Sequence, residues 1–391
     1  MELDDRYARH RLIEGWDQDC LRAARVMVAG AGAIGNEVIK LLALLGIGHI
    51  LIVDFDTVEL SNLTRSPLFR ETDIGLSKAR VAAERAMEMN PDVTVRALCG
   101  DLRYEIGLGV YRSLDVVIGC LDSLDARLAL NRACWKTRTP WLNGGIEVTV
   151  AEVSLFQTGD GACFECSMSP EMWDRRSRRY SCGGLRSVAP ESKMPTTAVM
   201  ASIAAAYLVQ EALFLLHSVG SPEKEGLHYS EKITVNIKPY DTAVYSLPRN
   251  AECIAHEVFE PVETRVETPA QASVRDLLNW AGAPDGVVEL GFDLLLEMNC
   301  CACGAGEAIR RPLEQCGDSL VRCPGCGRET RWPETLNWLG AEDPLSRLPL
   351  AELGVPDYAI LSVRDGELRR YIQIGGRSIW DESSEGDASC T

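Results

Sequence analysis

Positive charge is scarce in this sequence. Its 391 residues include 40 Lys and Arg against 57 Asp and Glu, so the formal charge is 40 − 57 = −17. An acidic chain has no electrostatic reason to hold a nucleic-acid backbone, and we exclude nucleic acid as a partner. Apolar residues, in contrast, make up 46% of the chain. This is enough for a core of about 250 residues plus an accessory domain.

Long apolar segments are also lacking. The longest one, residues 202–216, is interrupted by Gln210 and Glu211. It is too short and too polar to span a bilayer and predicts a core helix. Residues 1–5 are acidic and lack the pattern of a signal peptide. We therefore expect a cytoplasmic protein with no membrane partner, in which the 15 cysteines serve as metal ligands and reactive thiols rather than in disulfides.

A Walker-type P-loop is absent, but the chain has another phosphate-binding turn. Gly30-Ala-Gly32-Ala-Ile-Gly35 follows an apolar run at 25–29 and opens a predicted helix. The glycines let the backbone approach phosphate, and the helix N-terminus favours negative charge. Asp54 ends the next apolar run, where it can accept hydrogen bonds from a ribose. This fingerprint alone favours a nicotinamide-dependent dehydrogenase.

Charged residues after the second strand favour a triphosphate instead. The motif Ser61-Asn-Leu-Thr-Arg65 is followed by Gly75-Leu-Ser-Lys78. These cations suit a reaction at the α-phosphorus, in which charge builds on the departing pyrophosphate. Asp122 follows the strand predicted at 115–120, at the same edge of the sheet. Its carboxylate is suited to hold Mg²⁺.

The order of these segments predicts an α/β chain. A Rossmann-like, doubly wound sheet of mixed strand direction is expected over residues 1–260, with strands near 25–29, 49–54, 93–98 and 115–120. Residues 261–273 are rich in Pro, Thr and Glu and predict a linker. A smaller α+β domain is expected at 274–380, with a hairpin turning at Asp365-Gly366 and a disordered tail at 381–391.

Several separated motifs, in order, resemble those of the ThiF/MoeB and ubiquitin-activating enzyme superfamily. They are Arg6-Tyr-Ala-Arg9-His10, Gly15, the glycine turn, Val53-Asp54-Phe-Asp56, the Ser61–Arg65 motif, Gly75-x-x-Lys78, and Asp122 with Arg127 and Asn131. The resemblance extends from residue 5 to about residue 256. Ser66 departs from it, because the family usually has Gln after the arginine.

The resemblance implies a role for each nucleotide-site position. Asp54 would bind the ribose, with Asp56 in the same nucleotide-binding strand end, while Asn62, Arg65 and Lys78 would contact the ATP phosphates. Asp122 would bind Mg²⁺ and help position the incoming carboxylate. Arg9 would reach the phosphates of a neighbouring subunit, since family members work as two-fold dimers. The implied reaction is attack of a carrier protein's C-terminal carboxylate on the α-phosphorus of ATP.

A first zinc site is implied near the end of this region. Cys163-Phe-Glu-Cys166 offers two ligands, but one pair cannot close a zinc site. In the family the second pair follows a strand and an Arg-Asn-Pro segment, which is Arg249-Asn250-Ala251 here. Here the matching residues are Cys253 and His256, with His in place of the commoner Cys. A degenerate site without metal is the alternative.

Cys182 is the candidate nucleophile. It lies in a crossover loop expected at about 167–195, where the thioester-forming family members have their cysteine. Nearby cations lower a thiol pKa. The loop contains Arg175, Arg176, Arg178, Arg179 and Arg186. Attack by Cys182 on the acyl-adenylate would form a thioester and release AMP. An inert loop thiol is the alternative.

The C-terminal domain has a second, complete set of zinc ligands. Cys300 and Cys303 form one C-x-x-C pair, and Cys323 and Cys326 form another, with nineteen residues between the pairs. This spacing is typical of a zinc ribbon. The domain lacks a rhodanese-like active loop, so we expect it to bind a protein, either the carrier or a conjugating enzyme.

The function predicted from the sequence is activation of the C-terminal glycine of a ubiquitin-like protein by ATP, followed by thioester formation on Cys182 and transfer to a conjugating enzyme. One alternative is adenylation of a sulfur carrier for cofactor or thiouridine synthesis. An inactive scaffold is the alternative of another class. It ranks last because Arg9, Asp54, Asn62, Arg65, Lys78 and Asp122 are all present.

Overall fold

The computed structural model describes residues 5–169, 171–172, 180–181, 184–185, 196–217, 226–376 and 378–381. The expected crossover loop, including Cys182 and its five arginines, lies largely outside the described residues. So does the predicted tail, apart from Asp381.

The first part of the chain forms an eight-stranded sheet with the order β10-β9-β6-β5-β4-β1-β2-β3. Strands β1 to β5 are parallel, and β6, β9 and β10 continue the sheet antiparallel. The strands are β1 (Arg25–Ala29), β2 (His49–Val53), β3 (Thr94–Leu98), β4 (Val116–Gly119), β5 (Trp141–Ile146), β6 (Val150–Phe156), β9 (Glu231–Ile237) and β10 (Tyr240–Ser246). The Rossmann-like mixed sheet predicted from the sequence is confirmed. The strand order reverses between β1 and β4, where such folds bind ligands.

Helices cover both faces of this sheet. They are α1 (Gln18–Ala23), α2 (Ala33–Leu45), α3 (Lys78–Met89), α4 (Leu108–Arg112), α5 (Leu124–Thr137) and α6 (Ala198–His217). Side chains of α2, α3 and α6 share one core with alternate residues of β1 and β2. Side chains of α4 and α5 share the other core, which uses the opposite residues of the same strands. Parallel strands buried on both faces explain the apolar runs in the sequence.

Helix α6 is the longest apolar element. It is long and apolar enough to cross a membrane by length and composition, but 56% of its most apolar window is buried. It packs against α2 and against β5 and β6. The predicted core helix is therefore present.

A second, six-stranded sheet forms a β-rich domain. Its order is β11-β16-β15-β12-β13, with β14 also paired to β12. The elements are β11 (Val262–Thr264), α7 (Val274–Trp280), β12 (Val287–Cys300), β13 (Gly306–Pro312), β14 (Arg331–Gly340), β15 (Ile360–Asp365) and β16 (Leu368–Gln373). Between β6 and β9 in the chain, β7 (Tyr180–Ser181) pairs with β8 (Gly184–Leu185) as a separate two-stranded sheet. The predicted β15–β16 hairpin is present, and its turn is formed by Gly366 and Glu367, one residue later than the predicted Asp365-Gly366.

The segment predicted as a linker, 261–273, differs from that prediction. It contains β11, which pairs with β16 at the edge of the second sheet. Edge strands tolerate the Pro-rich flanks that made this segment resemble a linker. Its final residue, Ser273, caps α7 by accepting a hydrogen bond from the Asp276 amide.

The two sheets meet through helix α4. The Gly109 amide donates to the Tyr358 carbonyl at 2.8 Å, and Arg112 donates to Gln373 Oε1 at 3.0 Å. A Cβ on Gly109 would lie 2.7 Å from the Tyr358 carbonyl oxygen. The second domain therefore needs glycine here in order to approach the first.

We expect Gly109→Val to destabilise the protein. The added side chain forces the two sheets apart, and overpacking of this kind costs about 1–3 kcal/mol. Thermal unfolding should show a lower Tm than for Gly159→Val, whose Cβ would meet nothing within 4 Å. Equal melting of the two variants would contradict this account of the interface.

Candidate nucleotide site and metal clusters

The glycine turn connects β1 to α2 at the point where the strand order reverses. Gly30 has φ +95°, and its amide donates to the Val53 carbonyl at 2.8 Å. A Cβ on Gly30 would lie 2.6 Å from the Cys120 carbonyl oxygen, and one on Gly35 would collide with the Gly30 carbonyl oxygen. Gly32, in contrast, faces open space. Gly30 and Gly35 thus permit close packing, while Gly32 leaves the helix N-terminus open for an anion.

Asp54 follows β2 and braces the same turn. Its Oδ2 accepts from the Ala31 amide at 2.7 Å, and its Oδ1 accepts from the Asp56 amide at 2.8 Å. Burial raises the pKa of the Asp54 carboxyl, while these amides and Lys78 oppose that rise. Each oxygen keeps a second lone pair, so ribose binding remains possible for this side chain.

Lys78 lies at the start of α3, directly beside this strand end. It is only 9% exposed, and its Nζ is 2.7 Å from Asp56 Oδ2. The Lys78 amide also donates to the Asp56 carbonyl at 3.0 Å. A nearly buried ammonium group needs a partner, and Asp56 holds this one at the carboxyl edge of the sheet.

Asn62 and Arg65 lie in the loop that follows β2. Asn62 is buried, and its Oδ1 accepts from the Glu59 amide at 2.9 Å, closing a short 3-10 turn. Arg65 is half-buried and donates to the Ser61 carbonyl at 2.6 Å. Both side chains therefore shape the loop through these hydrogen bonds.

Asp122 is exposed in the loop between β4 and α5. This loop adjoins the glycine turn, because Cys120 donates to the Ala29 carbonyl at 2.8 Å. Arg127 fixes the loop by donating to the Leu121 carbonyl and to Asn143. The remaining predicted site residue, Arg9, is exposed just before the short 3-10 helix His10–Leu12.

The sequence analysis did not single out Asn36. This residue is fully buried in α2. Its Nδ2 donates to the Ala31 carbonyl at 2.7 Å, and its Oδ1 accepts from the Leu68 amide at 3.0 Å. It thereby connects the glycine turn to the loop containing Asn62 and Arg65. In the sequence, the signal that could have identified Asn36 is an amide side chain on the apolar face of a predicted helix.

The four residues predicted for the first metal site lie together. Cys163 Sγ is 3.8 Å from Cys166 Sγ and 3.6 Å from Cys253 Sγ, and Cys166 Sγ is 3.3 Å from His256 Nε2. Sulfur ligands around tetrahedral zinc lie about 3.8 Å apart, given Zn–S bonds of about 2.3 Å. Burial lowers the pKa of His256, which favours the neutral imidazole that metals bind. This cluster could bind zinc.

Helix α5 supports this cluster on one side. Arg132 makes a bidentate ion pair with the buried Glu165, in which Nε lies 2.7 Å from Oε1 and Nη2 lies 2.9 Å from Oε2. Asn131 accepts from the Phe164 amide at 3.0 Å, and Trp135 stacks on His256 with ring centroids 4.5 Å apart. The stack orients an imidazole where the family more often has a cysteine.

The second cluster lies where β12 ends and β14 begins. The two closest sulfur pairs are Cys300–Cys326 at 3.7 Å and Cys303–Cys323 at 3.6 Å. All four sulfurs lie within 4.8 Å of one another. The Thr330 hydroxyl, with nearby backbone amides, lowers the pKa of Cys300 to about 6, while hydrogen bonds with the sulfurs of Cys323 and Cys300 raise the pKa of Cys303 to about 11. This cluster could also bind zinc.

Comparison with known proteins identifies the family. Residues 5–252 match the ThiF family, which is more than half of the chain. The chain belongs to the ThiF family. Among its relatives is SUMO-activating enzyme subunit 2 of Dictyostelium discoideum, 38% identical over 149 residues. This match covers 38% of the present chain but only 22% of the length of that relative.

Other relatives match over a longer part of the chain. The molybdopterin-synthase adenylyltransferase of Escherichia coli is 29% identical over 232 residues, covering 56% of this chain and 87% of that protein. Ubiquitin-like modifier-activating enzyme 5 of Bombyx mori is 27% identical and covers 68% of each. The crystal structure of E. coli MccB with ATP has a TM-score of 0.52 and 23% identity, covering 65% of this chain and 74% of that one. That likeness shows the shared fold.

We expect two zinc ions per wild-type chain, one in each cluster. Cys253→Ser and Cys323→Ser should each leave one, because each removes a ligand from a different cluster. Cys301→Ser is the control, since Cys301 lies outside both ligand sets. Elemental analysis of the purified variants measures the ratio. A wild-type ratio of one would identify one cluster as metal-free, and the variants would show which.

Proposed function

We propose that this chain uses ATP to adenylate the C-terminal glycine of a ubiquitin-like or sulfur-carrier protein. The observation that best supports the proposal is the convergence of four features at one edge of the sheet. These are the open glycine turn, Asp54, the buried Lys78 and the exposed Asp122. The family includes relatives named as adenylyltransferases and modifier-activating enzymes.

Each group has a task that follows from its position. The open N-terminus of α2 would receive the phosphates, and Asp54 would accept from the ribose. Lys78 would neutralise charge on the leaving pyrophosphate, together with Asn62 and Arg65. Asp122 would hold Mg²⁺, which supplies further charge neutralisation when bound. The carrier's carboxylate would then attack the α-phosphorus, and an acyl-adenylate would form.

The dehydrogenase alternative leaves Lys78 without a purpose. Burying an ammonium group is costly, so a chain that needed only to bind a dinucleotide through its backbone would gain nothing from it. The ion pair with Asp56 is consistent with a cation that is stored beside the phosphate site until the nucleotide enters. Arg9, exposed near the N-terminus, is available to a second subunit, and we propose a homodimer.

The later chemistry is a further part of the proposal. We infer that Cys182 accepts the carrier as a thioester and passes it to a conjugating enzyme. The alternative is release of the adenylate for sulfur transfer, as in sulfur-carrier activation. The support for Cys182 is its place in the sequence and the arginines around it, since Cys182 lies outside the described residues.

The adenylation step is tested by exchange of labelled pyrophosphate into ATP. A panel of ubiquitin-like and sulfur-carrier proteins ending in Gly-Gly serves as substrate. Asp122→Asn and Lys78→Met should each lower the exchange rate by about 10²-fold, since each removes charge stabilisation from the transition state. Asp241→Asn, on the distant and exposed β10, is the matched control. Normal exchange by Asp122→Asn would contradict its assignment.

The thioester step is tested on non-reducing gels with magnesium-ATP and a carrier that supports exchange. We expect a thiol-sensitive adduct with wild-type protein and none with Cys182→Ala. Cys20→Ala, at a half-buried free thiol remote from the loop in sequence, is the control. Exchange without an adduct in either protein would favour the sulfur-carrier alternative and remove the role of Cys182.

A further inference from the structure

Tyr7 is the one buried side chain among residues 5–15, a segment that precedes α1 and contains Arg9. Tyr7 is only 1% exposed, whereas the short 3-10 helix His10–Leu12 buries none of its residues. Burial of a large ring stabilises a segment far more than contacts at the surface do. The position of this segment therefore depends on Tyr7.

The pocket that holds Tyr7 is formed where α2 and α3 end. The Tyr7 hydroxyl accepts a hydrogen bond from Asn90 Nδ2 at 2.8 Å, and the same Nδ2 donates to the Ala43 carbonyl of α2 at 2.6 Å. Gly46, the C-cap of α2, has φ +76° and leaves room for the ring, since a Cβ there would lie 2.5 Å from Tyr7 Cε1. Tyr7 thus connects the segment to both helices.

This pocket and the proposed nucleotide site lie at opposite ends of α2 and α3. The nucleotide site is at the N-terminal ends of these helices, where the glycine turn and Lys78 lie. Helix α2 has 13 residues and is therefore about 20 Å long. The segment that contains Arg9 is thus anchored one helix length from the nucleotide site of its own chain.

A second set of contacts holds the segment on the other side of Arg9. The centroid of the Trp16 ring lies 4.9 Å from that of His10 and 5.2 Å from that of His217, the last residue of α6. Gln18 accepts from Trp16 Nε1 at 3.0 Å and donates to the last carbonyl of α2 at 3.0 Å. Arg9 therefore lies between two anchored points.

Arg9 differs from the other arginines of this segment in its contacts. Arg6 donates to the Met89 carbonyl at 2.9 Å, and Arg11 makes an ion pair with Asp5 at 2.5 Å. Arg9 is exposed, and no described residue lies within hydrogen-bond or ion-pair distance of its guanidinium. This cation is available to an anion from outside its own chain.

Two large apolar side chains are exposed beside Arg9. Leu12 is 72% exposed and Ile13 is 54% exposed. The Leu12 amide donates to the Arg9 carbonyl at 3.3 Å, so these side chains belong to the same turn as Arg9. Adjacent apolar side chains that a chain leaves in water suit contact with another subunit.

We propose that Tyr7 is the positioning residue for Arg9 and directs it to the phosphates of ATP bound in a neighbouring subunit. This inference rests on the proposed adenylation and the proposed homodimer. Because Tyr7 lies one helix length from the nucleotide site of its own chain, its loss should impair the neighbour's site and spare its own. A displacement of a reacting group by about 1 Å can lower a rate by about 10²-fold.

The test uses a mixed dimer of two differently tagged chains, co-expressed and purified through both tags. The donor chain has Lys78→Met and supplies Arg9, and the acceptor chain has Arg9→Ala and supplies the nucleotide site. Pyrophosphate exchange is measured with a carrier that the wild-type protein uses. Each homodimer should lose most of its exchange. The mixed dimer should keep up to about half of the wild-type rate, because one of its two sites has both cations.

Tyr7→Leu is then placed in one chain at a time. In the donor chain it should lower the exchange rate of the mixed dimer at least about tenfold, because the arginine of that chain is misplaced. In the acceptor chain, which supplies no arginine, the loss should be at least about fivefold smaller. Tyr7→Phe conserves the volume of the buried ring and should show the same asymmetry at smaller amplitude. Tyr240→Leu in the donor chain, at an 89% exposed position on β10, is the matched control.

Equal losses from the two placements would overturn the inference, because Tyr7 would then act only on the fold of its own chain. Absence of exchange by the mixed dimer, when the wild-type protein exchanges normally, would overturn it as well, because Arg9 would not act across the dimer. Failure of the proposed function has a different signature. The wild-type protein itself would then exchange no pyrophosphate with any carrier, and the inference would fall with it.

Discussion

Close packing of the β1–α2 turn between β2 and β4 is the constraint on which the site depends. Gly30 adopts a positive φ and approaches the backbone after β4, while its amide bonds to the end of β2. Three strand ends are thereby brought together. Asp54 and Asn36 then hold the turn from opposite sides through its Ala31 amide and carbonyl. The ribose, phosphate and metal positions of the proposed reaction are all set by this one turn.

Helix α5 connects this turn region to the first cysteine cluster. Its first turn adjoins Asp122, and Arg127 anchors the loop in which Asp122 lies. Further along the helix, Arg132 and Trp135 support the first cysteine cluster. Loss of Arg132 would leave the buried Glu165 carboxylate without this ion-pair partner. The first cysteine cluster and the proposed nucleotide site are therefore attached to the same helix.

The parts of the fold that could be predicted from sequence are those with local signals. Strands β1 and β2 were expected almost to the residue, because buried parallel strands are short apolar runs bounded by glycine or acid. The second domain was harder. Its edge strand β11 has the composition of a linker, since an edge strand can keep prolines and polar residues.

In the candidate site, too, features with local sequence signals could be predicted and features that depend on tertiary contacts could not. The residue types and their order were visible in the sequence, and the cysteine pairs lie together as the spacing and the resemblance implied. The pairing of Lys78 with Asp56 and the bracing of the turn by Asp54 depend on tertiary geometry. The cleft lined by α4, α5 and the second sheet could not be predicted, because its walls come from segments more than 150 residues apart.

The central claim is attack at the α-phosphorus of ATP by a carrier's C-terminal carboxylate. Intact-mass measurement of the carrier after incubation with the Cys182→Ala protein and magnesium-ATP tests it most directly, because the proposed thioester step then cannot consume the adenylate. The account predicts that the carrier gains the mass of one adenylyl group and that pyrophosphate is released. An unchanged carrier, with ADP and phosphate as the products, would place the chemistry at the γ-phosphorus and contradict the account.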